Sequence, residues 1–109
     1  MAHSLKIISK RSTFILLRKK GEFINGKAFN LQFLEDPNLE NVIFVGFTAT
    51  KKLGKSVKRN KAKRIMRELA RKVITKYGKI NSYYVLIAKT SIFETPFRSQ
   101  EIELKELIS

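Results

Sequence analysis

The chain has 109 residues, 43% of them apolar and 10% aromatic, and sets 23 Lys and Arg against 9 Asp and Glu for a net charge of +14. That length suits one small domain with a modest core, the apolar share favours folding over disorder, and the charge favours a polyanionic partner. With no cysteine there is no disulfide, thiolate nucleophile or Cys-ligated metal, and no apolar run approaches the roughly eighteen residues of a membrane span.

The N-terminal stretch MAHSLKIISKRS lacks the apolar segment of a signal peptide, so a cytoplasmic protein is expected, and its single His3 reads as incidental. Ser12 is expected to cap a short helix, Thr13 to Lys20, that carries Phe14, Ile15, Leu16 and Leu17 and stops at Gly21. Its last residues, Arg18, Lys19 and Lys20, have the sign that a helix C-terminus favours. KAFNLQFL, Lys27 to Leu34, alternates Phe29, Leu31 and Phe33 against Ala28, Asn30 and Gln32, the pattern of a half-buried strand. The turn EDPNLEN leads into a second strand, VIFVGFTA, Val42 to Ala49. The two strands are expected to form a hairpin, with Phe23 and Ile24 beginning the sheet earlier.

From Lys51 to Lys72 the composition shifts to eleven basic residues and one acid, Glu68. Lys51 to Lys55 reads as a loop and Ser56 as the N-cap of a helix from Val57 to Tyr77, ended by Gly78. Ala62, Met66, Leu69, Val73 and Tyr77 recur at helical spacing as its core stripe, while Asn60, Arg64, Arg67 and Arg71 share another face. SYYVLIAK, Ser82 to Lys89, reads as a third strand, and Thr95 and Pro96 suit the N-cap and first position of a last helix with Leu104, Leu107 and Ile108 inward. The order α-β-β-α-β-α describes an α+β domain, a two-layer sandwich of helices on one small mixed sheet.

Surface helices usually intersperse acids among their cations, and like charges this dense repel unless an anion compensates. The segment VKRNKAKRIMRE therefore reads first as a nucleic-acid surface, and a membrane role is disfavoured because the apolar face is needed for the sheet. Asn60 serves equally as a local cap or as an amide for phosphate, ribose or a metal-bound water. Most aromatics must be core; Phe14, between Lys10-Arg11 and Arg18, is the best candidate for base stacking, although a core role is favoured. No Gly-rich phosphate loop, HExxH or GxSxG occurs, and the acids lie far in sequence from the basic helix, so no catalytic residue is assigned.

Val45 to Glu68, VGFTATKKLGKSVKRNKAKRIMRE, resembles the protein subunit of bacterial ribonuclease P, whose strand and basic helix share this form; Lys61 stands where that pattern has Arg. The similarity also takes in Leu5 to Gly21, Phe29 to Phe33 and Tyr83 to Lys89. It implies an RNA-binding subunit that assists a catalytic RNA in removing the 5′ leader from precursor tRNA, with Mg²⁺ held mainly by RNA and substrate. No membrane and no protein partner would be required. The helix and its loop, Lys51, Lys52, Lys55, Lys58, Arg59, Asn60, Lys61, Lys63, Arg64, Arg67 and Arg71, would bind RNA. Phe14, Arg18, Gln32 and Lys52 would fall in a cleft for the single-stranded leader, Arg18 and Gln32 standing where the family has aromatics. A left-handed βαβ crossover is also implied. A structural or ribosomal RNA-binding protein is the main competing reading, and a stand-alone metal nuclease is a third.

Overall fold

The computed structural model describes residues 4–109, so His3 lies outside it. Five strands, β1 (Leu5–Ile7), β2 (Glu22–Ile24), β3 (Phe29–Glu35), β4 (Ile43–Thr48) and β5 (Ser82–Ala88), form one sheet in the order β1-β4-β5-β3-β2. Three helices accompany it: α1 (Arg11–Lys20), α2 (Ser56–Leu69) and α3 (Phe97–Ile108). A π turn, Ala70–Ile74, and a last turn, Thr75–Tyr77, prolong α2. The α+β architecture expected from the element order is the one observed.

β5 is apolar on both faces after Ser82, and a strand of that kind belongs in the middle of a sheet. It lies between β4, to which it runs parallel, and β3, to which it is antiparallel. The expected hairpin of β3 and β4 is therefore wrong. Skipping one strand means crossing about 10 Å of sheet, which the segment 36–42 spans easily. α2 is the crossover between the parallel neighbours β4 and β5. β2 is the early antiparallel edge foreseen at Phe23 and Ile24, whereas β1, parallel to β4, had no sequence signal in its three residues.

Both faces of the sheet are covered. On one, Phe29, Leu31, Ile43, Val45, Tyr84 and Leu86 meet Ala62, Met66, Leu69 and Val73 of α2 and Leu104 of α3, with Leu107 and Ile108 packed at the margin. On the other, Leu17 of α1 packs with Ile8 and Val85, and Phe14, Phe44 and Tyr83 adjoin them. Tyr77, expected in the core stripe, is 46% exposed, its ring lying under Lys105 Nζ at 4.6 Å. The π turn takes in one extra residue per turn and rotates the side chains that follow, which brings Ile74 fully inside.

The capping expectations also change. Lys10 and Lys55 hold the extended N-cap positions, Ser12 and Ser56 lie inside the first turns, and no side chain caps α1, α2 or α3. α3 starts one residue later than expected, with Pro96 at the N-cap, because Thr95 Oγ1 donates to the Ser91 carbonyl at 2.8 Å and so belongs to the preceding turn. The chain's last helix is tied to the sheet by Glu103, whose carboxylate accepts from the Lys27 and Ala28 amides at 2.6 and 3.2 Å.

Candidate nucleic-acid interface

α2 begins where β4 ends. A single 3-10 turn, Lys51–Leu53, joins them and buries Leu53 while leaving Lys51 and Lys52 exposed. Gly54 follows with φ +123°, a backbone that side chains rarely adopt, and an added Cβ would meet Lys58 Cδ at 3.1 Å. This reversal starts the helix with Lys55, Lys58 and Arg59 in its first turns and no acid among them. Its uncapped amides and positive dipole end favour an anion there.

Along α2 the apolar stripe is buried and the cations spread over the rest of the surface. Lys58 and Lys61 lie 5.7 and 5.9 Å from the Phe93 ring, and Lys72 lies 5.5 Å from Phe97, on the flank toward α3. On the opposite flank the Arg67 guanidinium sits 6.0 Å from the Phe47 ring of β4. Asn60, Arg64 and Arg71 are exposed, whereas Arg59 and Lys63 are half-buried. Arg59 Nε is sealed from solvent without a partner among the described residues.

Arg71 differs from the others by pairing with Glu68, its Nε donating at 3.1 Å and its other contact also to that carboxylate. This bond, chiefly, holds the Glu68 carboxyl below its usual range and raises Arg71. The only other ion pair among the described residues is Lys79 with Glu35, at 3.2 Å. Arg64, Arg67 and the lysines of α2 thus have no carboxylate partner among the described residues, and their mutual repulsion is unrelieved there.

A trough occupies the sheet face beside α1. Arg11, Phe14 and Arg18 share one flank of that helix at i, i+3 and i+7, and they face Gln32, Thr48 and Ile87 of the sheet, with Ser9 at the margin, around a cavity of about 460 Å³. A neighbouring hollow of about 450 Å³ shares Ile87 and is lined by Asn30, Thr50, Lys52, Leu53, Ala88, Lys89 and Thr90. No carboxylate lines either part. The trough therefore runs from α1 to the Lys51–Leu53 turn, where it meets the basic surface of α2.

Register explains how the trough is built. Gly46, Val85, Gln32 and Phe23 stand in one row across β4, β5, β3 and β2. The Phe14 ring lies on the first of these, so that a Cβ at position 46 would fall 2.7 and 2.9 Å from its Cε1 and Cζ. Phe14 is thus both a packing residue, against the core of Ile8, Leu17 and Val85, and a wall of the trough.

Of the residues singled out from sequence, Phe14, Arg18 and Gln32 line one cavity and Lys52 the adjoining one. The remaining basic residues from Lys51 to Arg71 form the turn and the α2 surface. Arg11, Ser9, Asn30, Thr48, Ile87 and Lys89 were missed. The helical spacing of Arg11 from Phe14 and Arg18 was a usable signal; the sheet residues had none, because their neighbourhood depends on strand order. Among the described residues no three His, Cys, Asp or Glu side chains converge on a common point, so this donor set does not fit a protein-held metal cluster.

Comparison with known proteins agrees with this arrangement. The family model for Ribonuclease P matches residues 3–109. The ribonuclease P protein component of Caulobacter vibrioides is 39% identical over 89 residues, which cover 80% of this chain and 59% of that protein. The same component of Bartonella quintana is 34% identical over 106 residues, covering 93% of this chain and 79% of that protein. The match thus spans somewhat over half the length of the Caulobacter relative. The solved RNase P protein of Thermotoga maritima superposes with a TM-score of 0.81 at 24% identity, covering 94% of both chains, a likeness of fold.

Proposed function

Because the chain belongs to the ribonuclease P protein family, we propose that it is the RNA-binding component of a ribonucleoprotein endonuclease whose catalytic RNA removes the 5′ leader from precursor tRNA. The observation that carries this reading is the meeting of an acid-free trough with a cationic helix at the Lys51–Leu53 turn. A trough walled by Phe14 and two guanidinium groups suits an unpaired strand, and a cationic helix suits the backbone of structured RNA.

In this reading α2 binds the RNA subunit through Lys55, Lys58, Arg59, Asn60, Lys61, Lys63, Arg64, Arg67 and Arg71. The leader lies in the trough against Phe14, Arg18, Gln32 and Lys52, with Arg11 added to that set. Phe14 supplies one aromatic face, and Arg11, Arg18 and Lys52 compensate phosphate charge. Mg²⁺, held by RNA and substrate, would supply charge stabilisation at the scissile phosphate. The protein's part is to hold the leader beside that site and to lower the repulsion between the two RNAs. No helix among the described residues is long and apolar enough to cross a membrane. The proposed work on precursor tRNA would be done in the cytoplasm.

The test is cleavage of precursor tRNA at low Mg²⁺ by the protein, the RNA subunit and the two together. Cleavage is expected only with both, or with RNA alone at high Mg²⁺. Cleavage by the purified protein without RNA would favour a stand-alone nuclease and overturn the proposal. Failure to bind the RNA subunit would instead favour a structural RNA-binding protein.

A further inference from the structure

α3 and the end of α2 border a groove of about 410 Å³ on the sheet face away from α1. Val73, Tyr77 and Ile102 give it an apolar floor, and Ile102 is 48% exposed, so the fold leaves that floor uncovered. Its rims carry both signs of charge. Lys72 and Lys76 stand on the α2 side, while α3 contributes Arg98 and Lys105 together with Glu101 and Glu106. None of these six takes part in an ion pair among the described residues, where the pairs are Arg71–Glu68 and Lys79–Glu35.

The two carboxylates set this groove apart from the trough, and they disfavour a phosphate backbone or an anionic membrane here. The order of charge along α3 identifies a better occupant. Arg98, Ile102 and Glu106 follow one another at four-residue spacing and lie along one exposed line of the helix. Ile102 is the midpoint, with a cation about 6 Å before it and an acid about 6 Å after it. A line of this kind is complementary to itself when reversed. A second α3, laid antiparallel on a two-fold axis through Ile102, brings each Arg98 against Glu106 of the other copy and buries the two Ile102 side chains together.

We propose that this groove is a self-association surface, through which two copies of the chain pair by antiparallel contact of α3. One helix and its margins make a small contact, of the kind found in weak, reversible association rather than in obligate dimers. Each chain carries +14, so long-range repulsion opposes the pairing. Salt screens charges separated by more than about 10 Å at 0.1 M and should strengthen it, the opposite of the salt dependence of RNA binding. The contact lies away from α1, the trough and the flank of α2 that carries Arg67, so each paired chain keeps those surfaces open.

The test is sedimentation velocity of the purified full chain over a roughly hundredfold concentration range, at low and at moderate salt, with thermal melts beside it. The parent should pass from monomer to dimer as its concentration rises, and should do so earlier at moderate salt. Arg98→Glu sets two carboxylates face to face at both ends of the contact, and Glu106→Arg does the same with two guanidinium groups. Each should weaken dimerisation by roughly tenfold. The double variant Arg98→Glu/Glu106→Arg restores opposite signs at both ends and should recover the parent's dimerisation at the parent's net charge. Both side chains are exposed, so all three variants should melt near the parent. Arg98→Glu by itself lowers the net charge by two, and stronger association of that variant would mean that net charge alone governs and would overturn the proposal. Single variants that dimerise like the parent, or a double variant that does not recover, overturn it as well. So does a parent that stays monomeric: the groove then belongs to RNA if Arg98→Glu weakens binding of the RNA subunit, and to a different protein if it does not.

Discussion

Replacing Arg64 with Ala separates the cost of the basic helix to the fold from its value to RNA. The side chain is exposed and has no ion pair or aromatic neighbour among the described residues. Its helical neighbours are Lys61 and Arg67 at three residues and Asn60 and Glu68 at four, and Glu68 is already engaged by Arg71. Each like-charged pair at this spacing costs about 0.2–0.5 kcal/mol, and Ala forms helix at least as well as Arg, so with two such pairs removed the variant should be as stable as the parent or better by up to about 1 kcal/mol. For a domain of this size that is a rise of no more than about 8 °C in Tm. Loss of one charge-assisted phosphate contact should weaken binding of the RNA subunit by about 1.5–3 kcal/mol and flatten the dependence of log K on log salt by roughly 0.7–0.9. Thermal melts and a salt titration of RNA binding measure both quantities on the same sample. A variant that melts several degrees lower and keeps the parent's salt slope would show that Arg64 is structural, and the assignment of α2 to an RNA-facing surface would fall with it.

Arg67→Ala should differ, because it also removes the guanidinium from Phe47; a stability loss of about 0.5–1 kcal/mol beside weaker RNA binding is expected in melts, and no loss would show that the contact contributes nothing. Glu68→Gln should strengthen RNA binding by freeing Arg71 and removing the one acid of the basic stretch. Glu68 titrates below its usual range in the fold, so its stabilisation is present above the unfolded carboxyl's range and is lost as pH falls through the folded value. Melts across acid pH should accordingly show a shallower loss for Glu68→Gln than for the parent, and identical slopes would refute the pairing. Gly46→Ala places a methyl group within 3 Å of the Phe14 ring, which should cost about 1–3 kcal/mol and weaken leader binding while RNA-subunit affinity persists; an unchanged melt would contradict the close approach of α1. Met66→Asp buries a carboxylate at a site of 0% exposure and should abolish the cooperative melt, whereas a folded variant would mean that α2 does not pack on the sheet as described.

The two surfaces draw on different amounts of tertiary information. A cationic helix face is a local property: Asn60, Arg64 and Arg71 point outward because Ala62, Met66 and Leu69 point inward, and both sets follow from a 3.6-residue period. The trough is assembled from α1, β3, β4, β5 and the turns beside them, and its residues are separated by up to 81 positions, from Ser9 to Thr90. No local pattern brings these together. Its electrostatic character still follows from composition, since a chain with few acids, several of them in the last helix, leaves few to place elsewhere.

Periodicity and composition in the sequence determined the α+β class, the three long strands, the amphipathic α2 and its burial of Met66 and Leu69, because each of these depends on residues within one or two turns of one another. The strand order was beyond it. β3 and β4 are consecutive and could have paired, but β5, apolar on both faces, gains more by lying between them, and that preference exists only once the crossover helix has returned the chain to the sheet. The same insertion sets Val85 beside Gln32 and brings Ile87 between Thr48 and Asn30. Helix starts were decided late as well: Ser12 and Ser56 had the chemistry of caps, but the extended backbone leaving β1 and the positive φ at Gly54 placed Lys10 and Lys55 there instead. Side-chain chemistry along a helix or strand is a short-range matter, whereas the partner across a sheet is settled by competition among all the strands for burial, a comparison that can be made only in the assembled fold.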